Sequence, residues 1–219
     1  MKKGVFIVID GSDGSGKATQ TELLSHRLTA AGYSVTALSF PRYGQPSAAL
    51  VEAYLRGDFG TQAESVNPYL ASTFYAADRF ACAGMIREAL SEGKIVLADR
   101  YVVSNMAHQG GKVDDPEKRK EFILWEDDFE HAKAGLPRPD LTLILHVPTD
   151  ISLKLIRDRG EAKDIHETDE HHLSRAEETY QEIATLITDI KIIECISRGQ
   201  LMTKERIHDL VWQSVSLHL

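Results

Sequence analysis

Residues 4–21 read GVFIVIDGSDGSGKATQT, and their interpretation decides the fold of the whole chain. Val5 to Ile9 is an apolar run, rich in β-branched residues and of strand length. It leads into Gly11-Ser12-Asp13-Gly14-Ser15-Gly16-Lys17, which has the spacing G-x-x-x-x-G-K. Glycines at such a turn let the backbone close around an anion and aim N–H groups inward. A helix opening near Gly16 adds the positive end of its dipole. Lys17 is then placed to reach the outer phosphates of a bound nucleotide. Leu23, Leu24, Leu28 and Ala31 recur at helical spacing up to a stop at Gly32, which predicts the helix that this mechanism requires.

One position departs from the pattern. Such a loop carries Ser or Thr after its Lys, and that hydroxyl binds Mg2+. Here Ala18 stands there and Thr19 follows. Adjacent helix residues point about 100° apart, so Thr19 does not take over the role. The preferred reading is Mg2+ held through water and carboxylates; the other is weaker binding of the metal.

Strand-like runs recur at Val5–Ile9, Val35–Phe40, Ile95–Ala98, Leu141–Val147 and Ile190–Ile196. Helical patterns lie between them at Lys17–Ala31, Ser47–Arg56, Pro68–Glu92, Pro116–Ala134, Asp150–Arg159, Glu167–Thr188 and Thr203–Leu217. This alternation predicts an α/β fold with a five-stranded parallel sheet flanked by helices. At 219 residues the chain is expected to form one domain, with a short lid. Ligands in such folds bind beyond the carboxyl ends of the strands. Those ends carry the phosphate loop, Phe40-Pro41-Arg42-Tyr43, Asp99-Arg100-Tyr101, and a helix leading to Arg157 and Arg159.

The net charge of −8 argues against general binding to a nucleic-acid backbone. Basic residues gathered at the strand ends of an acidic chain instead suit a small, highly anionic ligand. A hydrophobic content of 42% with 26% charged residues is that of a soluble globular protein. No apolar run approaches membrane-spanning length, so no membrane partner is expected. Met1-Lys2-Lys3 leads straight into the first strand without a signal-peptide pattern. The two cysteines, Cys82 and Cys195, lie far apart among apolar neighbours and read as buried thiols in a reducing, cytoplasmic setting.

Taken in order, GSDGSGKATQ (11–20), FPRYGQPS (40–47), FYAADR (74–79), DRYVVSNMAHQGGK (99–112), GLPRPDLTLILHVP (135–148) and RDRGEAKDIHE (157–167) resemble the thymidylate kinase family of phosphate-loop nucleoside monophosphate kinases. The resemblance covers nearly the whole chain. It implies transfer of a phosphoryl group from ATP to dTMP, with Mg2+ as the cofactor of ATP, by a homodimer paired through the helices around residues 68–92 and 116–134. ATP would be held by Gly11, Ser12, Asp13, Gly14, Ser15, Gly16, Lys17, Ala18 and Thr19.

The acceptor roles follow residue by residue. Asp13 is placed like the family's carboxylate that contacts the deoxyribose 3′-hydroxyl. Tyr75, in the family's stacking position, and Arg79 lie four apart on one helix face. The Arg would donate to thymine O4, where cytosine offers an amino group instead. Arg100 would grip the monophosphate with its planar fork, and Arg42, after Phe40, would be a second grip. Asp99 is placed like the family's acidic residue near Mg2+ and the acceptor phosphate. Ser104, Asn105, His108 and Gln109 would line the base and sugar pocket, with either Asn105 or Gln109 on the thymine edge. For His108 a plain structural role stays open. The phosphate loop carries Gly14 and Ser15 where some members carry a catalytic Arg. The charge must then come from a lid at about 157–167, from Arg159 or alternatively Arg157, with Lys163 nearby. Lys17, Asp99, Arg100 and the lid Arg are thus the expected catalytic set.

Two other functions compete. One is a kinase acting on a nucleoside or another monophosphate, against which the Tyr75/Arg79 pair and the Phe40-Pro41-Arg42 segment speak. The other is a catalytically weakened nucleotide sensor or scaffold, favoured by Ala18 alone. The His-rich, acidic stretch around His166, His171 and His172 reads as a solvated segment. Phe122, Ile123, Trp125 and Phe129 are expected to face the protein or a partner subunit.

Overall fold

The computed structural model describes residues 3–159 and 169–219. Its centre is β1 (Val5–Gly11), whose side chains are buried on both faces of the sheet. Phe6 and Val8 enter one apolar cluster, while Ile7 and Ile9 enter another on the opposite face. This is why the run reads as continuous rather than alternating. Fully burying one such side chain contributes about 1.5–3 kcal/mol.

Around β1 stand β2 (Val35–Ser39), β3 (Ile95–Asp99), β4 (Leu141–His146) and β5 (Ile190–Glu194), in the order β2-β3-β1-β4-β5. All pairs are parallel, with Val5 opposite Ile95, and Ile7 opposite Leu141. The predicted five-stranded parallel sheet is therefore present. A two-stranded antiparallel hairpin, β6 (Ile196–Ser197) and β7 (Gln200–Leu201), extends beyond it.

Helices α1 (Lys17–Ala30) and α8 (Lys204–Val215) cover one face through Leu24, Leu28, Ile207 and Val211. The other face carries α3 (Pro68–Ser91), α4 (Val102–Gly110), α5 (Pro116–Asp127) and α7 (Glu170–Leu186), through Ile86, Met106, Ile123 and Ile183. The short α2 (Ala49–Leu55) packs with α3 through Tyr54, Val66 and Ala71. Helix α6 (Thr149–Arg159) follows β4. Asn67, Asp115, Asp169 and Thr203 cap α3, α5, α7 and α8 with their side chains.

Several boundaries differ from the expectations. Phe40 leaves β2 at a cis Phe40–Pro41 bond, and β5 ends at Glu194, before Ile196 starts the hairpin. Ser47 and Ala48 form a 3-10 turn with Pro46 before α2 begins. The helix expected over 116–134 is α5 followed by a π-helical stretch, Asp128–Lys133. Helix α4 was not foreseen. The lid expected at about 157–167 lies, beyond Arg159, outside the described residues, and Lys163 and His166 with it.

Candidate active site

The loop after β1 is shaped by Gly11, Gly14 and Gly16, at φ of 136°, 77° and 85°. Gly16 occupies the N-cap of α1 in the left-handed region, and no side chain caps that first turn. The turn's backbone donors are thus left for a ligand, as anion binding at a helix start requires. A Cβ on Gly14 would stand 2.7 Å from the Ser152 carbonyl of α6, so α6 packs directly on the loop. Lys17 is buried and donates from Nζ to the Ser12 carbonyl at 2.8 Å. Burial, and then the Arg100 cation, bring its pKa down to about 8. Ala18 and Thr19 lie exposed on α1.

Arg100 follows β3 with φ 65°, a left-handed backbone that costs a non-glycine residue about 1–2 kcal/mol. The turn is held by its own N–H, which donates to the Ile9 carbonyl at 2.9 Å. Its guanidinium donates to Asp13 from Nη2 and to the Ser104 hydroxyl from Nη1 at 2.7 Å. Asp13 also stands 3.8 Å from Lys17 Nζ. Burial disfavours the Arg100 cation, but the carboxylates of Asp13, Asp10 and Asp99 outweigh it and raise its pKa.

Arg100 Nη1 further approaches His108 Nε2 at 3.4 Å. Arginine only donates, so Nε2 accepts there. His108 Nδ1 then carries the hydrogen and donates to His172 Nε2 at 3.3 Å. Burial holds the His108 imidazole well below its usual pKa and brings His172 down to about 4. Beneath this network Asp10, fully buried, accepts from Gly11 N–H, Tyr101 N–H and the Tyr180 hydroxyl at 2.9, 3.2 and 2.8 Å. Burial raises its pKa.

A second network adjoins the first. Arg79 is buried and makes a two-pronged ion pair with Glu130, through Nε at 2.6 Å and through Nη2. Its Nη1 donates to the Tyr101 carbonyl at 3.3 Å. Asn105 Nδ2 donates to Glu126 Oε1 at 2.6 Å, to the Ser72 carbonyl at 3.2 Å and to Glu130 Oε1 at 3.3 Å. Gln109, one turn further along α4, is fully buried, and neither of its amide atoms has a partner among the described residues. Tyr75 is half-buried, with its ring edge-on to Tyr54 at 6.3 Å.

The remaining expected residues sit at the rim or in the core. Arg42 is half-buried, and its N–H donates to Asp78 Oδ2 at 2.7 Å. Asp78 also accepts from the Ser47 hydroxyl at 2.6 Å, fixing the loop that presents Arg42. Phe40 is buried against Tyr101, their rings 5.6 Å apart, and its N–H donates to the Asp99 carbonyl at 3.0 Å. Arg157 is exposed and folds back to the Leu153 carbonyl of its own helix. Arg159 closes α6, and its side chain lies outside the described atoms.

The structure thus joins Asp13, Lys17, Arg100, Ser104 and His108 in one network, and Arg79 with Asn105 in another. Asp10, Glu126, Glu130, His172 and Tyr180 belong to these networks and were not anticipated, nor was Asp78, which holds the loop of Arg42. A signal existed for Asp10, which directly precedes the phosphate loop, and for Asp78, which adjoins Arg79 in FYAADR; none existed for the others, which reach the site from distant segments.

For a divalent cation the donor chemistry fits. Asp99 Oδ1 and Ser15 Oγ are buried oxygens without partners among the described residues, and hard cations take such oxygens together with water. Among the described residues no group of three or more His, Cys, Asp or Glu side chains converges as a ligand set. Both cysteines are free and buried.

Known proteins are similar to this chain over most of its length. The family model described as thymidylate kinase matches residues 9–205. The thymidylate kinase of Mycobacterium tuberculosis is 37% identical over 186 residues, covering 82% of this chain and 86% of that protein. The human thymidylate kinase is 32% identical over 146 residues, 67% of this chain and 62% of that one. A solved thymidylate kinase structure from Candida albicans superposes with a TM-score of 0.76 at 23% identity, over 99% of this chain and 92% of that chain, which bears on the fold.

Proposed function

The chain belongs to the thymidylate kinase family, and we propose a division of labour among its residues for the reaction of that family. The enzyme is a kinase that transfers the γ-phosphoryl group of ATP to dTMP, giving dTDP and ADP for dTTP synthesis. Little covalent chemistry is asked of the protein; it aligns the reacting oxygens and phosphorus and neutralises charge on the group in flight.

In this reading Gly11 to Thr19 hold the ATP phosphates, with Lys17 and the open first turn of α1 as the donors. Arg100 holds the acceptor phosphate, helped by Arg42. The observation that carries the reading is the Asp13–Arg100 pair. Asp13 pairs with the guanidinium fork that would also bind the acceptor phosphate. An incoming dTMP exchanges its phosphate onto Arg100 and leaves Asp13 to accept from the sugar 3′-hydroxyl. Ser104 and His108 orient the guanidinium meanwhile.

Tyr75 stacks on thymine, Arg79 donates to O4, and Asn105 or Gln109 meets the remaining edge. Arg159, or alternatively Arg157, supplies charge to the phosphoryl group from the lid. Such an Arg is worth roughly 10³–10⁵ in rate in related enzymes. Asp99, with waters, would hold Mg2+, which would supply positive charge against the ATP phosphates.

The whole chain is read as one domain, acting as a cytoplasmic homodimer. Leu70, Phe80 and Met85 of α3 are exposed apolar side chains that a second copy would cover. Among the described residues no helix is long and apolar enough to cross a membrane. The test is ADP release with ATP and Mg2+, with and without dTMP. Stimulation by dTMP above dUMP and dCMP is expected; equal stimulation by dCMP overturns the pocket assignment.

A further inference from the structure

The α5–π-helix segment buries two acids that no phosphate chemistry requires. Glu126 and Glu130 are both fully buried, on a segment that also packs into the core through Phe122 and Ile123. The change from α to π winding occurs between them. Glu130 is accounted for by Arg79. Glu126 has no cation of its own. Burial, and then the neighbouring Glu130 carboxylate, push its carboxyl well above the usual range. A carboxyl group presents an accepting oxygen to whatever donor faces it, charged or neutral.

What faces it is Asn105. Its Nδ2 is drawn to Glu126 Oε1 at 2.6 Å, with the Ser72 carbonyl and Glu130 Oε1 as longer contacts. An amide whose nitrogen is turned to three acceptors has its oxygen turned away from them. Asn105 Oδ1 is buried and has no partner among the described residues. Buried amide oxygens are almost always hydrogen-bonded, so this one is set for a donor brought by a ligand. Thymine and uracil carry such a donor on N3 and an acceptor at O4. Cytosine has the opposite polarity at both places, an acceptor on N3 and an amino group at C4. The two acids therefore place two readers: Glu130 holds Arg79, which can only donate, and Glu126 holds Asn105 with its carbonyl oxygen left as the acceptor.

We propose that Glu126 is a positioning residue for base selection: by accepting the Asn105 amide N–H it turns the Asn105 carbonyl oxygen toward N3–H of a keto pyrimidine and against cytosine. The inference rests on the assignment of Arg79 and Asn105 to the thymine edge. Removing Glu126 leaves Asn105 Nδ2 with only its two longer contacts, and the amide becomes free to turn over and present its N–H groups instead.

The test compares unmodified enzyme with Glu126→Gln, Glu126→Leu and Asn105→Ala, reading kcat and KM for dTMP, dUMP and dCMP and nucleotide dissociation constants by calorimetry without ATP. Glu126→Gln keeps an accepting oxygen opposite Asn105 and retains the preference for dTMP over dCMP. Glu126→Leu lowers that preference about tenfold, the loss of one oriented hydrogen bond. The loss falls in the KM and dissociation constant of dTMP rather than in kcat, a split that general destabilisation does not produce. Glu126→Met, which adapts to irregular space, carries the same expectation and replaces Glu126→Leu if the latter does not fold. Preserved selectivity in the apolar variant, or equal loss in Glu126→Gln, overturns the inference. Unchanged selectivity in Asn105→Ala overturns the assignment of Asn105 itself, and this inference with it. Loss in Asn105→Ala with none in Glu126→Leu overturns the role of Glu126 alone.

Discussion

Arg100 and Asp13 are paired across the mouth of the phosphate loop, 87 positions apart in sequence, and the same carboxylate lies 3.8 Å from Lys17. One acid thus links the residue assigned above to the donor phosphates with the residue assigned to the acceptor phosphate. In Arg100→Lys the charge stays, but the fork that bonds Asp13 and Ser104 together is lost. The expected outcome is a fall in kcat/KM for dTMP of about 10²-fold, with ATP affinity little changed. Steady-state kinetics with each substrate varied in turn checks this. A loss confined to ATP contradicts the assignment of Arg100 to the acceptor.

Ala18 is exposed on the first turn of α1, so a serine there meets no steric obstacle. Its added hydroxyl completes the usual metal contact of such a loop. The unmodified enzyme is expected to turn over with Mg2+ and to lose activity when EDTA removes it. Ala18→Ser is expected to reach half-maximal rate at several-fold lower free Mg2+. Titration of rate against free Mg2+ measures both. Activity appearing only in the Ser variant favours the weakened nucleotide sensor instead.

Gly14 combines φ 77° with a Cβ position 2.7 Å from the Ser152 carbonyl. Gly14→Ala adds left-handed strain and pushes α6 away from the loop. A destabilisation of about 2–4 kcal/mol follows. For a chain of this size that lowers Tm by roughly 5–15 °C. ATP binding falls with it, because the displaced loop no longer aims its N–H groups. Thermal unfolding with and without ATP separates the two effects. An unchanged Tm means that the loop and α6 are less tightly packed than described.

Legibility in the sequence followed exposure. β1 is readable because its apolar run is buried on both faces and bounded by a glycine turn. α1 and α8 are readable because each has a buried and a wet side. α4 was missed because all nine of its residues are buried, so no polar face marks the period. Its Ser104, Asn105, His108 and Gln109 look like a loop until α3, α5 and α7 surround them. Glu126 and Glu130 looked like the wet side of an amphipathic helix. Their burial depends on Arg79 and Asn105, which arrive from other segments. Arg42 was placed by its motif, but the acid that holds its loop, Asp78, shows its role only through two hydrogen bonds across 36 and 31 positions.

His172 ties the start of α7 to His108, and its environment makes a prediction about acid stability. Burial, followed by the Lys112 cation, brings its pKa to about 4, against 6.5 for an unburied imidazole. Asp169 and Asp13 pull the other way, and His171 adds to the lowering. Between those two values the unfolded chain binds a proton that the folded protein refuses. The stabilisation is therefore complete above about pH 6.5 and is lost as pH falls toward 4, by up to about 1.4 kcal/mol per pH unit for this one group. At pH 5 the loss from His172 amounts to about 2 kcal/mol. His108 is lowered in the same direction and steepens the fall. His172→Gln keeps a hydrogen-bonding side chain without a titration, so its denaturation midpoint in urea is expected to change less between pH 7 and pH 5 than that of the unmodified protein. Equal acid sensitivity in the two would mean that His172 takes up its proton in the folded state, and that the His108–His172 contact opens to allow it.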